Sequence, residues 1–285
     1  MPASAPVSVL IPCYCCADTI GRAVASAIEQ TLPPAEILFV EDASPDAGKT
    51  LTALQNLERL YAGRVPLRVI PMTLNVGPAA ARNAGWEAVT QPYVAFLDAD
   101  DAWHPKKLEL QVGWMEAHPE VALTGTRSIV LETMDQLPPL PAELEARELS
   151  RLELLVANRL PTRSVVLRAD LPDRFVPEKR YSEDYLLWAS ILLSGRRVVL
   201  LEAPLAFSFK RDFGAGGLSS HLWSMHREVL DTHRRLQSMG HISAQLRFAL
   251  DGLERLKFVR RVAITGLSWL VRRGLNVPRQ RGPVL

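Results

Sequence analysis

The chain has 285 residues, of which 48% are hydrophobic and 22% are charged, as is usual for a globular protein with a full-sized core. Its formal net charge of +2 is too small to indicate a nucleic-acid-binding surface, so no nucleic-acid partner is expected. The length accommodates one large domain and a smaller appended region.

The three cysteines, Cys13, Cys15 and Cys16, are too clustered to form a disulfide framework. They favour a reducing, cytoplasmic setting, and no second Cys/His pair completes a zinc site, so their role stays open. The N-terminus lacks the basic and apolar regions of a signal peptide. No run reaches the roughly 20 apolar residues that a membrane-spanning helix needs.

The first half of the chain alternates short apolar runs with amphipathic segments. Strands are predicted at 7–12, 36–40, 67–70 and 94–97, with helices at 20–28, 51–60, 78–90 and from 105 onward. This alternation predicts an α/β fold, with a mainly parallel central sheet flanked by helices.

The second half of the chain is less regular. After 121–131 the pattern loosens, and the proline-rich, acidic segment 136–149 is predicted to be a loop or an insertion. A helix (151–157), a strand (164–167), a helix (182–193) and a strand (198–201) are predicted after it. A glycine-rich stretch at 213–217 predicts a mobile loop, and the segment from 221 to the end has a helical period. We expect one domain at 1–212, followed by this loop and a basic helical region at 213–285.

The predicted strand at 94–97 runs directly into three carboxylates, Asp98, Asp100 and Asp101. Open α/β sheets bind their ligands at the carboxyl ends of strands. Closely spaced carboxylates suit Mg2+ or Mn2+, which proteins hold with one or two carboxylates and substrate phosphates. A solvated turn that caps the following helix is the alternative interpretation of these residues.

Five short motifs occur in a fixed order along the chain. They are VSVLIPCY at 7–14, VEDAS at 40–44, NVGPAAARNAG at 75–85, LDADD at 97–101 and EDYLLW at 183–188. Together they resemble the inverting glycosyltransferases of family 2. The resemblance implies a GT-A (nucleotide-diphospho-sugar transferase) fold with a C-terminal helical extension. It also implies sugar transfer from a nucleotide sugar, expected to be a UDP-sugar, to a hydroxyl of a glycan, lipid-linked or other acceptor.

The resemblance assigns a donor nucleotide site to the ends of the first strands and the start of the helix at 78. Its residues are Pro12, Tyr14, Glu41, Asp42, Asn75, Gly77, Arg82 and Asp98. A helix start favours a diphosphate, and the Arg82 guanidinium supplies a fork of donors. The family usually carries Asn at position 15 and Gly at position 43, where this chain has Cys and Ala. Which of Glu41 and Asp42 meets the base stays open.

The acidic pairs receive their roles from the same resemblance. Asp98 and Asp100 match the D-x-D motif, which implies that they hold Mg2+ or Mn2+ against the donor diphosphate, with Asp100 as the expected direct ligand. His221 is a further candidate ligand, and an ordinary surface histidine is its alternative. Asp184 is the implied general base, and Glu183 orients the acceptor or the base. Acids in the first turn of a helix also have a purely structural explanation in the helix dipole.

Three other classes of protein are alternatives to this interpretation. A nucleotidyltransferase that makes nucleotide sugars would carry a glycine-rich, basic loop after its first strand, and 13–18 contains neither glycine nor Lys or Arg. A non-catalytic sugar- or partner-binding relative would not need the acidic pairs. No G-x-G-x-x-G follows any strand, which disfavours a nicotinamide oxidoreductase. The Gln-x-x-Arg-Trp motif of processive family members is missing, which favours a single transfer per encounter.

The C-terminal segment 255–281 contains no acidic residue and alternates arginines with apolar side chains. This composition suits a helix on an anionic membrane surface. A helix docked on the domain or in a homodimer interface is the alternative. We therefore expect a cytoplasmic protein with peripheral contact at the inner membrane face as one possibility.

Overall fold

A computed structural model describes residues 4–209 and 222–274, and of 265–274 it describes the backbone alone. The strands are β1 (Ala5–Cys13), β2 (Pro34–Glu41), β3 (Leu67–Pro71), β4 (Tyr93–Phe96), β5 (Ala102–Trp103), β6 (Val121–Val130), β7 (Ala146–Glu148), β8 (Val166–Arg168) and β9 (Arg197–Ser208). The helices are α1 (Ile20–Ile28), α2 (Lys49–Leu60), α3 (Pro78–Glu87), α4 (Lys107–Ala117), α5 (Arg151–Val156), α6 (Glu183–Leu193), α7 (Leu222–Ser238) and α8 (Ala244–Gly274).

The strands form one sheet in the order β3-β2-β1-β4-β8-β6-β9-β5, with β7 also pairing with β9. The pairs β3–β2, β2–β1 and β1–β4 are parallel, as expected when each connection crosses over through a helix. Strand β8 runs antiparallel to both β4 and β6, whereas β6 and β9 are parallel. The predicted α/β fold is confirmed, and antiparallel strands extend its parallel half.

Helices cover both faces of the parallel half, which explains why β4 and the central part of β1 are continuously apolar. Successive residues of β1 point to opposite faces. Val9 and Ile11 pack with Val24 of α1, whereas Leu10 packs with Trp86 of α3 on the other face. The core therefore lies on both sides of β1 and β4, directly beneath the acidic turn that follows β4.

Four aromatic rings form a packed cluster below this turn. Phe96 at the end of β4 lies 5.6 Å from Trp86, 5.4 Å from Phe175 and 6.0 Å from Trp188 between ring centroids. The indole N–H of Trp188 donates to the carbonyl of Leu160 at 3.0 Å, so the polar atom of this buried ring is satisfied. The cluster fixes α3, α6 and β4 relative to one another, and each of these elements leads to a candidate site residue.

Two short strands were not predicted. β7 lies within the segment 136–149, which was expected to be a loop, and it pairs antiparallel with β9. β5 lies in the turn after the acidic motif and also pairs with β9. Strands of two or three residues are too short to show an alternating pattern, so only their partner strand defines them.

The C-terminal helices α7 and α8 pack on α6. Leu236, Ile242 and Leu250 form a buried cluster with Leu186 and Leu193 of α6. Among the described residues no helix combines the length and the hydropathy of a membrane span. The expected mobile loop, with its glycine-rich stretch, and His221 fall outside the described residues.

Candidate active site

The loops that carry the predicted donor-site residues meet at one edge of the sheet. Cys13 at the end of β1 pairs with Glu41 at the end of β2, and Leu10 of β1 pairs with Phe96 at the end of β4. Because these strands are parallel, the segments that follow them emerge side by side. Tyr14, which follows β1, is exposed at this edge.

Asp42 ties the loop after β2 to the loop after β3. Its carboxylate accepts hydrogen bonds from Asn75 Nδ2 at 2.8 Å, from the Val76 N–H at 2.7 Å and from the Gly77 N–H at 2.9 Å. Glu41, the preceding acid, accepts from the Ser44 N–H at 2.8 Å. Both acids are buried, but Asp42 directs its two oxygens into the protein. Of the two acids, Glu41 therefore keeps more capacity to accept a hydrogen bond from a ligand.

The two departures from the family pattern both occupy the left-handed backbone region. Cys15 has φ +48° and Ala43 has φ +49°. Asn and Gly adopt this conformation at lower cost than other residues, which explains why those residue types suit these positions. The Cys15 N–H donates to Ser44 Oγ at 3.0 Å, so the loops after β1 and β2 remain tied to each other despite the substitutions.

Gly77 leads into α3, the helix whose start was predicted to face the diphosphate. Its φ of +85° and ψ of 168° are accessible essentially to glycine alone, and Pro78 follows at the first helical position. The exposed Arg180 side chain covers this turn, and a Cβ at position 77 would lie 3.6 Å from Arg180 Cζ. Arg180 also donates to Asn75 Oδ1 at 3.3 Å. An exposed cation is therefore placed beside the helix start.

Arg82 on α3 connects the two acidic motifs. Its Nη2 lies 2.7 Å from Asp98 Oδ1, and its Nη1 lies 2.8 Å from Glu183 Oε1. The side chain is only 5% exposed, and although burial opposes its charge, Asp98 and Glu183 raise the pKa of Arg82 above its ordinary value. The sequence placed Arg82 near the diphosphate, whereas in the structure its fork joins Asp98 and Glu183.

Glu183 and Asp184 begin α6, and Ser182 before them has a left-handed backbone. Burial raises the pKa of Glu183 to about 7, against the opposing effect of the Arg82 charge. Asp184 is half-buried, and burial raises its pKa as well. Three donors oppose that rise: the Tyr185 N–H at 2.7 Å, Asn158 Nδ2 at 3.0 Å and Thr162 Oγ1 at 3.1 Å.

The acidic turn after β4 has two supporting arginines. Arg22 donates to the backbone carbonyl of Asp100 at 2.6 Å, and Arg163 lies 3.3 Å from Asp101. Burial raises the pKa of Asp101 to about 7, because its desolvation outweighs the nearby Arg163 charge. Asp101 is buried, whereas Asp98 and Asp100, the D-x-D pair, are partly exposed to solvent.

The D-x-D pair fits a hard divalent cation only in combination with oxygens from a substrate. Within residues 4–209 and 222–274, no three His, Cys, Asp or Glu side chains are clustered as a metal site would require. Asp98 pairs with Arg82. Such a donor set matches the way proteins hold Mg2+, with one or two carboxylates and phosphate oxygens.

Sequence reasoning missed four polar residues of this site. They are Arg180, Asn158, Thr162 and Arg163. Three of them lie in the irregular segment between α5 and β8, which shows no period and no motif. Their only sequence signal is an enrichment in polar residues between two predicted elements, which is common to ordinary surface loops.

A scan against family models matches residues 8–169 to the model described as "Glycosyl transferase family 2". The chain belongs to glycosyl transferase family 2. It is therefore a glycosyltransferase, in agreement with the resemblance found in its motifs.

Relatives of this family 2 glycosyltransferase include proteins of polysaccharide biosynthesis. The amylovoran biosynthesis glycosyltransferase AmsE of Erwinia amylovora is 29% identical over 252 residues, which cover 85% of this chain and 90% of AmsE. The succinoglycan biosynthesis protein ExoO of Rhizobium meliloti is 31% identical over 204 residues, which cover 67% of this chain and 57% of ExoO.

Solved structures confirm the GT-A fold. Residues 1–349 of S. aureus TarS in complex with UDP-GlcNAc superpose with a TM-score of 0.64 at 19% identity, covering 90% of this chain and 72% of that TarS chain. The mannosyltransferase PcManGT of Pyrobaculum calidifontis, in complex with GDP-Man and Mn2+, gives 0.64 at 16% identity, covering 96% of this chain and 81% of PcManGT. At these identities the likeness establishes the fold alone.

Proposed function

We propose that the chain is an inverting, metal-dependent and non-processive glycosyltransferase that moves a sugar from a UDP-sugar to a hydroxyl of a growing polysaccharide. One observation carries the proposal: Arg82 binds both Asp98 of the D-x-D motif and Glu183 of the second acidic pair. This guanidinium places the donor-side and acceptor-side acids next to each other, which supports a single site that contains both. The UDP-GlcNAc complex of TarS supports the donor class, and the names of AmsE and ExoO support the acceptor class.

The donor nucleotide lies across the carboxyl edge of the parallel strands. The exposed Tyr14 ring stacks on the base, and Glu41 accepts a hydrogen bond from it. The start of α3 and the Arg180 guanidinium bind the diphosphate, because N–H dipoles and a fork of donors both suit phosphate oxygens. Asp98, held by Arg82, reaches the ribose.

Asp100 is the side chain that would hold Mg2+ or Mn2+, together with oxygens of the donor diphosphate. When bound, the ion would stabilise the negative charge that develops on the leaving diphosphate. The Mn2+ in the PcManGT complex supports this cofactor class. Asp98 remains neutralised by Arg82, which limits repulsion between the two aspartates.

The acceptor hydroxyl transfers its proton to the Asp184 carboxylate as its oxygen attacks the anomeric carbon. The new bond forms on the face opposite the leaving group, and the old bond's electron pair departs with the nucleoside diphosphate, so the configuration is inverted. The three donors around Asp184 favour its ionised, proton-accepting form. Glu183 is held by Arg82 and fixes the start of α6, so that the neighbouring Asp184 is directed toward the acceptor.

The Asp184→Asn variant tests this assignment. We expect kcat to fall by about 10³-fold, because a general base typically contributes 10²–10⁴-fold. The Kd for UDP, measured by calorimetry, should stay within about twofold, since Asp184 does not contact the donor in this scheme. Asp170→Asn, which changes an exposed aspartate in the turn after β8, is the matched control.

Three outcomes would overturn parts of the proposal. Full activity of Asp184→Asn would remove the base assignment, and retention of the anomeric configuration in the product would remove the inverting mechanism. Release of pyrophosphate from UTP and a sugar 1-phosphate would instead favour a nucleotidyltransferase.

A further inference from the structure

Helix α8 turns both of its acidic residues toward the protein. Asp251 pairs with His233 of α7 at 2.8 Å and with Arg247 at 3.0 Å. Glu254 pairs with His226 of α7 at 3.3 Å and also contacts an arginine of its own helix. Both carboxylates are buried and already neutralised. They therefore contribute no negative charge to the outer surface of α8.

The outer face of α8 carries an apolar stripe. Phe248 is 73% exposed, Leu256 is 71% exposed, and Val259 and Ala263 are exposed as well. Their spacings of eight, three and four residues place them on one side of the helix. Apolar side chains this exposed rarely align in a monomeric soluble protein unless the surface binds a partner.

Two arginines border this stripe. Arg255 and Arg260 are both exposed, and by helical geometry they lie on opposite sides of it. No exposed acid lies on α8 between Ala244 and Ile264. An apolar stripe with a cation on each side matches a helix that lies in a bilayer interface, where arginine side chains extend to the phosphates.

We infer that the outer face of α8, defined by Phe248, Leu256, Val259 and Ala263 with Arg255 and Arg260, docks on an anionic phospholipid surface. Charge complementarity selects this occupant over a second copy of the chain. In a symmetric dimer the same face would meet itself and bring like-charged arginines together. The segment 265–281 adds further arginines and no acid, which continues the same charge pattern in the sequence.

Docking would link the membrane contact of α8 to the segment beside the proposed base. Lys257 of α8 donates to the carbonyl of Val156, which lies two residues before Asn158. Asn158 in turn contacts Asp184. This series of contacts would couple binding at the bilayer to the position of the Asp184 carboxylate, to which we assign the acceptor proton. This consequence rests on the proposed function, whereas the docking itself does not.

The test is co-sedimentation of the full chain with vesicles that contain neither donor nor acceptor. We expect binding to vesicles of equal parts phosphatidylcholine and phosphatidylglycerol, little binding to phosphatidylcholine alone, and release at high salt. Arg255→Gln and Arg260→Gln should each lower the partition coefficient about fivefold, because an arginine near an anionic surface contributes about 1 kcal/mol. Arg64→Gln, at an exposed position outside α8, is the control.

The apolar part of the surface is tested with a Phe248→Ser/Leu256→Ser double variant. We expect a loss of binding of at least about tenfold, since both side chains would lose their burial among the lipids. Leu60→Ser is the matched control, because Leu60 is 70% exposed but lies on α2. All these side chains are exposed, so the unfolding temperature should stay constant and confirm that the variants fold.

Three results would overturn the inference. One is failure of the wild-type chain to bind anionic vesicles, and another is unchanged binding of the Phe248→Ser/Leu256→Ser variant. The third is a solution dimer, measured by light scattering, that this double variant converts to a monomer. Because the vesicles lack substrates, none of these results depends on whether the transferase assignment is correct.

Discussion

At the scale of single residues, the protonation of Asp184 is set by a balance of opposing effects. Burial raises its pKa, and donors from its own helix and from the loop before β8 lower it. Asn158 and Thr162 both donate to the same oxygen, Oδ2, at 3.0 and 3.1 Å. They are positioning residues, because they act on the acceptor through the carboxylate rather than by touching it.

Removing these two donors should shift the pH dependence of the reaction. An Asn158→Ala/Thr162→Val variant loses two hydrogen bonds that lower the pKa of Asp184. Because burial raises the same pKa, we expect it to be higher in the variant. The acidic limb of kcat/KM should therefore move to higher pH, and the rate should recover well above it. The measurement is a pH profile of kcat/KM with saturating metal.

Thr162→Ser keeps a hydroxyl at the same position and serves as the control, since its limb should stay near that of the wild-type enzyme. If the rate falls equally at every pH while the limb stays in place, Asn158 and Thr162 have only a structural role.

At the scale of elements, the donor side depends on one carboxylate that joins two loops. Asp42, at the end of β2, holds the 75–77 loop through three hydrogen bonds, two of them from backbone N–H groups. That loop sets the position of α3, whose first turn begins after Gly77. The buried charge thus organises the surface on which the diphosphate would lie.

Asp42→Asn should weaken both the fold and donor binding. The amide keeps one acceptor oxygen but directs its own N–H groups at backbone donors, so we expect a loss of about 3 kcal/mol in unfolding free energy. The Kd for UDP should rise at least about tenfold, whereas kcat at saturating donor should change less, because Asp184 is unaffected. Denaturant unfolding and calorimetry measure the two effects.

Asp18→Asn, at an exposed aspartate after β1, is the control and should change neither quantity. An Asp42→Asn protein with normal stability and a normal Kd for UDP would contradict the role assigned to this carboxylate.

The elements themselves could largely be predicted from the sequence, whereas their cross-connections could not. The runs that became β1, β2 and β4 are continuously apolar because both faces of the sheet are covered, and such runs are visible in any single sequence. The fork of Arg82 joins the turn after β4 to the start of α6, and these two segments are distant along the chain. Only the packing of α3, β4 and α6 around Phe96 brings them together.

The backbone conformation of the loops could not be predicted from the sequence either. Cys15 and Ala43 adopt left-handed backbone conformations. These could not be predicted from the residue types, since neither residue is Gly or Asn. The insertion of β8 between β4 and β6 depends on antiparallel pairing over three residues, which carries no periodic signal.

At the scale of the whole molecule, the C-terminal helices are fixed to the transferase core by a buried cation. Lys179, four residues before Glu183, is almost fully buried. Its Nζ lies 2.6 Å from Glu228 and 3.3 Å from Asp231, both on α7. The same contact therefore ties α7 to the loop that leads into the acidic start of α6. Loss of this contact should loosen the helices and disturb the acceptor side together.

Lys179→Met tests this coupling, because it removes the charge but keeps the length and apolar stem of the side chain. Glu228 and Asp231 are partly exposed, so we expect a loss of about 2 kcal/mol in unfolding free energy, below the 3–5 kcal/mol typical of a fully buried pair. Hydrogen exchange in α7 should accelerate, and kcat should fall because the start of α6 is less well fixed.

Arg235→Gln is the matched control, since Arg235 pairs with the same Asp231 at 2.7 Å from a partly exposed position on α7. Removing this pair should lower the unfolding free energy by less than about 1 kcal/mol, because solvent screens it. Adding Glu228→Gln to Lys179→Met should recover part of the stability, since the uncompensated acid disappears. Equal losses in Lys179→Met and Arg235→Gln would mean that burial of Lys179 does not couple α7 to the core.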